Sequence, residues 1–395
     1  MIDPLVYDGN ITHRIAGIKH FFNVQQEPEV ILDQWLRKFC NIWLEEEFLA
    51  QRGCNWYERK DAPCDYGNGY YLRRLVTARG RVELIVPRGR WGTYKYTLFE
   101  KYRRYSSKFE DIVVDSLLLG HSTRDARRFF NDTFGPGTLS HAFASKTLRR
   151  FDSEIGSWKS KPILKKVKVL VLDAVHLKGA ITGHKRAKPV LCAWCIYADG
   201  TEELIDFEPM RSESSEAWGR FCGKLYQRGL TDVELAVRDD CPAIAEAIST
   251  YWPKAMQQLC VFHLMQNFAK KLKGLTDKRS IIKDAEKIFE AKNKTSMYGA
   301  LNKFMSKWGR YKYHPALRYL YENIEVATQF YDIDEEFQAA AKTSNRLERS
   351  FKEVKRRVKA FGRFPNTRSC CRWLFALIKE GLLPRYERII PKGSK

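Results

Sequence analysis

The sequence predicts an α/β protein: a mixed five-stranded sheet with helices, interrupted by an all-helical insertion and preceded by mainly helical N-terminal regions. Three observations carry that expectation. Between residues 166 and 274, short hydrophobic runs alternate with helical patterns. Over residues 275–340 the strand pattern gives way to a helical one, rich in Lys, Tyr and Trp. Two of the core runs, VKVLVLDAV and VELAVRDD, close on carboxylates at Asp173 and Asp239. Asp is depleted in strands and rarely buried unless paired, so those acids need a reason.

Residues 1–52 form an N-terminal helical segment. Within it, Ile31, Trp35, Phe39, Ile42, Trp43 and Leu49 recur at a helical period, a face suited to packing or dimerisation. Residues 53–108 form a small basic β unit, in which Val82, Leu84 and Val86 alternate between basic flanks. It reads equally as an ordinary hairpin and as a nucleic-acid contact. Residues 109–160 are helical in pieces, broken at Gly120 and at Gly135-Pro136-Gly137. Ser122 and Asp125 suit an N-terminal cap, and Arg124, Arg127 and Arg128 decorate the helix that follows. A further helix over 139–151 carries Lys146 and Arg149, and the pair is compatible with a helix-turn-helix reader of DNA.

Residues 161–274 hold the sheet. Two strands, KPVLCAWCIYADG and TEELIDFEPM, follow the first and share the turn signal Ala198-Asp199-Gly200. Then come a helix near SEAWGRFCGKLYQRG, the strand VELAVRDD, the helix PAIAEAISTYW, the short strand QLCVF and a helix with His263. The order β-β-β-α-β-α-β-α is what an RNase H-like fold requires. Residues 275–340 form the helical insertion, 341–366 the final core helix, beginning near Ser344, and 367–395 a basic C-terminal segment.

The chain has 395 residues, 44% hydrophobic, and a net charge of +22. That balance favours a polyanionic partner, nucleic acid first and an acidic membrane surface second. Residues 341–395 hold 16 Lys and Arg against 4 Asp and Glu, more than half of the surplus. No apolar run approaches the roughly 20 residues that span a bilayer. The start, MIDPLVYDGN, lacks a signal-peptide pattern, so a cytoplasmic protein with reduced cysteines is expected. Cys192 with Cys195, and Cys260 with His263, have zinc-like spacing. On a strand, however, positions i and i+3 face opposite ways, so Cys192 and Cys195 suit the core better than one ion. Cys54 and Cys64 are a weaker pair.

Two neighbouring strands that each end in Asp bring two carboxylates together. Such a pair in low dielectric resists ionising, and a divalent cation removes the conflict. Asp239 is assigned to metal and Asp240 to capping the helix that starts at Pro242. Asp173 reads as a turn residue or a metal ligand. A third acid, Glu348, sits beside the stripe Leu347, Phe351, Val354, Val358 and Phe361, with Lys352, Lys355 and Lys359 on the adjacent face. Glu348 reads either as the partner of an Asn345 cap or as a metal ligand beside a ladder of DNA-facing lysines.

The motifs DA (173–174), RDD (238–240), CVFH (260–263), TSNRLE (343–348) and GRFPN (362–366) together resemble the core of Mutator-type bacterial insertion-sequence transposases. NGYYLRRLVTARGRVELIVPR and LLLGHSTRDARRFF extend the resemblance upstream, so that it covers roughly residues 40–375. It implies an Asp-Asp-Glu enzyme on an RNase H-like fold, with Asp173, Asp239 and Glu348 binding Mg²⁺, or Mn²⁺ in its place. It further implies a Cys/Asp-x-x-His signature at Cys260 and His263 near the active site. The activity implied is nicking and strand transfer at the element's terminal inverted repeats, on double-stranded DNA. Synapsis of two ends implies a homodimer, and the setting is bacterial cytoplasm, at the nucleoid when DNA is bound. No membrane and no small-molecule substrate is implied.

Overall fold

The computed structural model describes residues 28–54, 56, 65–91, 94–100, 103–184, 186–381 and 387–388, and for residues 345–348 and 387–388 the backbone only. The chain divides into two compact units, one of Met1–Leu117 with Thr123–Thr147 and one of Leu118–Ser122 with Leu148–Lys395.

In the first unit, helix α1 (Pro28–Arg52) packs on a hairpin of β1 (Gly67–Thr77) and β2 (Gly80–Gly89). The alternation read at Val82, Leu84 and Val86 is the buried face, closed by Leu75 and by Leu44 of α1. The aromatic stripe of α1 turns the other way. Trp35, Phe39, Ile42 and Trp43 are exposed, while Leu44 and Phe48 are fully buried. Periodicity located the helix but not its covered side. Most of α2 (Ser107–Leu118) follows, then α3 (Thr123–Phe134) and α4 (His141–Thr147). Phe109 of α2 meets Phe130 and Phe134 of α3 edge-on, which fixes that pair of helices. The helix expected over 139–151 is shorter. It ends at Thr147, and Arg149 lies in a 3₁₀ turn, Leu148–Phe151, of the second unit.

The second unit is built on one mixed sheet. After α5 (Asp152–Ser160) come β3 (Val167–Lys178), β4 (Ala187–Tyr197) and β5 (Thr201–Pro209). Then follow α6 (Ser215–Gln227), β6 (Val233–Arg238), α7 (Pro242–Tyr251), β7 (Met256–Leu259) and α8 (Val261–Lys271), the order expected. QLCVF is strand only as far as Leu259. The spatial order is β7-β6-β3-β4-β5, with a two-residue edge strand β8 (Glu387–Arg388) beyond β5. β3 pairs antiparallel with β4 and parallel with β6, and β6 pairs parallel with β7. β3 is buried along both faces, as a run of Val and Leu requires.

One face of the sheet packs against α6 and α7. Leu170, Leu172, Ala193, Cys195 and Ala236 meet Trp218, Phe221, Leu225, Ile244 and Ile248 there. Ser214 starts α6 by accepting the Ala217 amide at 3.3 Å, and Pro242 occupies the first turn of α7, where no amide is needed. The insertion comprises α9 (Lys278–Phe289), α10 (Lys294–Trp308), α11 (Pro315–Asn323) and α12 (Glu335–Ala341). Fully buried Gln258 of β7 anchors its return, giving Nε2–H to Ala327 O (2.8 Å) and accepting the Phe330 amide (2.9 Å).

α13 (Asn345–Phe361) then packs on β3, and α14 (Thr367–Lys379) on β5. Of the predicted α13 stripe, Phe351, Val354 and Val358 are buried, and Lys352, Lys355 and Lys359 are exposed. Between the two helices the chain presses on the end of β3 at Gly179. A Cβ there would stand 2.3 Å from the Phe364 carbonyl oxygen, and φ is +70°. Only glycine permits that approach. No helix among the described residues is long and apolar enough to cross a membrane.

Candidate active site

The parallel register of β3 and β6 places the first two acids. Val169 pairs with Leu235 and Val171 with Val237. Two residues further along come Asp173, still within β3, and Asp239, one residue past the end of β6. Leu170 and Leu172 point into the cluster under α6 and α7, so Asp173 points to the opposite face of β3. Glu348's helix, α13, packs against β3.

Asp173 is only 7% exposed, and its Oδ1 accepts the Ala174 amide at 2.7 Å. Asp239 Oδ1 accepts the Cys241 amide at 3.0 Å. Burial pushes the Asp239 carboxyl up, against the downward pull of that amide and of the His263 and Arg238 charges. Arg238 secures the turn, giving one N–H to Gln257 Oε1 (2.8 Å) and another to the Asp239 carbonyl (2.8 Å). Asp240 does not cap α7. The N-cap is Cys241, and the exposed Asp240 carboxylate accepts the Tyr319 hydroxyl of α11 at 2.7 Å. An N-cap must directly precede the first helical residue, and Asp240 lies one position too early.

The CVFH segment lies beside the two acids. Cys260 is fully buried at the start of α8, and His263 follows in its first turn. Burial works against a charged His263 ring. Its hydrogen bond to Cys260 and the nearby Asp173 and Asp239 charges outweigh that and lift it to about 9. The Cys260 thiol is itself lowered: burial pushes it up, but the bonds to His263 and Ser344 prevail. At neutral pH His263 therefore carries a positive charge between two carboxylates.

Glu348 lies in the first turn of α13 by its backbone; its side chain is outside the described residues. The helix is capped at Ser344, so Asn345 is its first residue and not its cap. Among the described residues no three His, Cys, Asp or Glu side chains gather closely enough to hold a metal. Cys192 and Cys195 are both buried in β4; Cys195 faces α6 and α7, and Cys192 faces the other side, within reach of Asp206 and Cys370. Cys54 is buried, and Cys64 lies outside the described residues.

Three neighbours of the site carried no sequence signal. Glu213, before α6, has its carboxyl pushed up by burial and by Asp239. Its Oε1 is 3.3 Å from His176 Nε2, and burial with Lys355 and Lys188 holds that ring low. Ser344 and Tyr319 reach the site from segments far along the chain. The Lys355 effect on His176 also shows the lysine face of α13 lying within electrostatic reach of β3.

The predicted DNA contacts fall in separate places. Arg124, Arg127 and Arg128 are exposed on α3 and, with Asn131, Asp132 and His141, line a groove of about 400 Å³. Arg127 Nη1 is 3.2 Å from His141 Nε2, and Arg128 pairs with Asp132 at 3.6 Å. Lys146 is exposed on α4, and Arg149 is exposed in the second unit.

The profile of the Mutator family of transposases matches residues 10–382. The chain is 29% identical to the transposase for insertion sequence element ISRM5 of Rhizobium meliloti, over 85% of this chain and 84% of that one. It is 27% identical to the transposase for element IS905 of Lactococcus lactis, over 96% of each. To the transposase for element IS256 in transposon Tn4001 of Staphylococcus aureus it is 28% identical, over 82% of this chain and 83% of that one. With a family match spanning nearly its whole length, the chain belongs to the Mutator family of insertion-sequence transposases.

Proposed function

We propose that this transposase is an Asp-Asp-Glu enzyme on an RNase H-like core, which binds the terminal inverted repeats of its element and cuts and joins DNA there. The observation that carries the reading is that Asp173, within β3, and Asp239, directly after the adjacent parallel strand β6, both lie within electrostatic reach of His263. The strand order, with β3 central, parallel to β6 and antiparallel to β4, supports the core assignment.

The donor set suits a hard divalent ion. Carboxylate oxygens without thiolate match Mg²⁺, with Mn²⁺ as substitute. Burial raises Asp239, so this face favours a counter-charge. Asp173, Asp239 and Glu348 would hold the metal. When bound, a pair of such ions activates the attacking oxygen and offsets charge on the leaving oxygen.

The remaining roles belong to the chain itself. Asp173 and Asp239 are held by short backbone hydrogen bonds on a rigid sheet, which limits their movement between binding and reaction. The charged His263 ring lies where a scissile phosphate would approach the acids. Lys352, Lys355 and Lys359 form an exposed cationic row on α13, suited to phosphates of the strand being cut. Arg124, Arg127, Arg128 and Lys146 on α3 and α4 would position duplex DNA, and Arg149 would add a contact from the second unit. The protein would act as a homodimer, pairing two ends, in the bacterial cytoplasm and at the nucleoid.

The test uses DNA from both flanks of the gene, a target plasmid and Mg²⁺. Joined products from 3′-hydroxyl ends support the reading. Cuts without joining would leave a nuclease on the same core, and binding without cuts would leave a DNA-binding protein that has lost catalysis.

A further inference from the structure

Cys260 is the N-cap of α8, yet its thiol makes no capping bond to its own helix. Besides the His263 ring, it meets the start of a different helix. Cys260 Sγ accepts the Ser344 amide at 3.3 Å and lies 3.2 Å from Ser344 Oγ. Ser344 is the N-cap of α13, only 3% exposed, and likewise makes no side-chain bond to its own helix. The backbone beside Cys260 reaches in both directions. The Cys260 amide donates to the Arg238 carbonyl at 2.7 Å, one residue before Asp239, and the Val261 amide donates to the Lys342 carbonyl at 3.2 Å.

Two simpler roles fit poorly. A fully buried thiol is out of reach of exogenous oxidants and substrates, so it is neither an exposed nucleophile nor a redox sensor. An apolar filler of the same size would occupy the space, but it would leave the Ser344 amide, at a buried helix start, without its acceptor.

We propose that Cys260 is a positioning residue that ties the turn bearing Asp239 to the first turn of the helix bearing Glu348. The proposal rests on Glu348 being the third acid. Cys260 fixes where α13 begins and how it is rotated, and Glu348 lies four residues beyond Ser344. Through its backbone Cys260 holds the second acid's turn, and through its thiol it holds the start of the third acid's helix. A small slip of either would separate ligands that must meet on one ion.

The experiment is hydrogen–deuterium exchange on the full-length protein, with DNA cleavage and DNA binding measured on the same preparations. In Cys260→Ala, amides 343–350 are expected to exchange faster while β3 exchanges as in the native protein. Its kcat should fall at least about tenfold, because small misplacements of catalytic groups cost that much or more, with DNA affinity unchanged. Cys260→Ser keeps an acceptor for the Ser344 amide and should restore both readings to within about threefold of native. Native exchange at 343–350 in Cys260→Ala overturns the proposal, and so does a folded Cys260→Ser protein as impaired as Cys260→Ala. Should Cys260→Ala fail to fold, Ser344→Ala, which loses only the hydroxyl contact, is expected to show the same pattern more weakly, and native exchange there overturns it. Native cleavage by Glu348→Gln would remove Glu348 from the wider reading, while exchange would still decide whether Cys260 holds α13.

Discussion

The six-stranded sheet and the β1–β2 hairpin are covered differently. The large sheet has α6 and α7 on one face, with α13 packed on β3 and α14 on β5, and β3 is buried along most of its length. The hairpin has α1 on one face, while Leu72 is 76% exposed and Arg74, Arg81 and Ile85 are also exposed. A side chain at the end of a doubly covered strand takes its position from neighbours on both sides. Metal ligands need that, since tolerances are about half an ångström. Phosphate contacts need much less, because a long cation can follow its partner. An acid within the covered strand β3, another just after β6, and arginines on the open hairpin and helix fit that division of labour.

The sharpest way to break the comparison is at the acids. Asp173→Asn, Asp239→Asn and Glu348→Gln should each lower cleavage by about a thousandfold or more, since each loses several kcal/mol of charge stabilisation. Mobility shifts should show DNA binding largely kept. Near-native cutting by one variant would strike that residue from the site. The covering helices come next. Trp218 is fully buried under the sheet, and Trp218→Ala should destabilise the protein by about 3–5 kcal/mol, read by denaturant unfolding. A loss below about 1 kcal/mol would mean that this face is not tightly packed.

Smaller effects sharpen the contrast. Tyr319→Phe removes the donor to Asp240 and should cost about 1 kcal/mol of stability, with a modest fall in kcat. If kcat falls as far as in Asp239→Asn, the insertion takes a larger part in the site than a tether. On the exposed side, Arg124→Ala with Arg127→Ala, or Lys352→Ala with Lys355→Ala, should reduce the salt dependence of DNA binding by about 0.9 per lost phosphate contact. An unchanged slope would show that the pair does not touch DNA.

The sequence made the sheet readable because its signals are local. VKVLVLDAV and VELAVRDD are strands by composition, and each shows its carboxylate at a fixed offset from the last aliphatic residue. Their parallel pairing brings the strand that holds Asp173 beside the one that Asp239 follows. Contacts set by the tertiary fold were not readable. Asp240 looked like a cap because Pro242 follows it, but its partner is Tyr319, 79 residues away. Cys260 looked like half of a ligand pair with His263, and its thiol, besides bonding His263, meets Ser344, 84 residues on. On α1, Trp35 and Phe39 of the expected packing or dimerisation face are stacked and exposed, and it is Leu44 that packs on the hairpin. A period of 3.6 identifies an apolar face and says nothing of what covers it.

The central claim is that Asp173 holds a catalytic metal. It is tested most directly by the DNA cleavage rate of Asp173→Cys under reducing conditions, in Mg²⁺ and in Mn²⁺. A thiolate is a poor ligand for Mg²⁺ and a better one for Mn²⁺. The account predicts a protein that binds DNA, is inactive in Mg²⁺ and regains cleavage in Mn²⁺. Cleavage at the native rate in Mg²⁺ would contradict it.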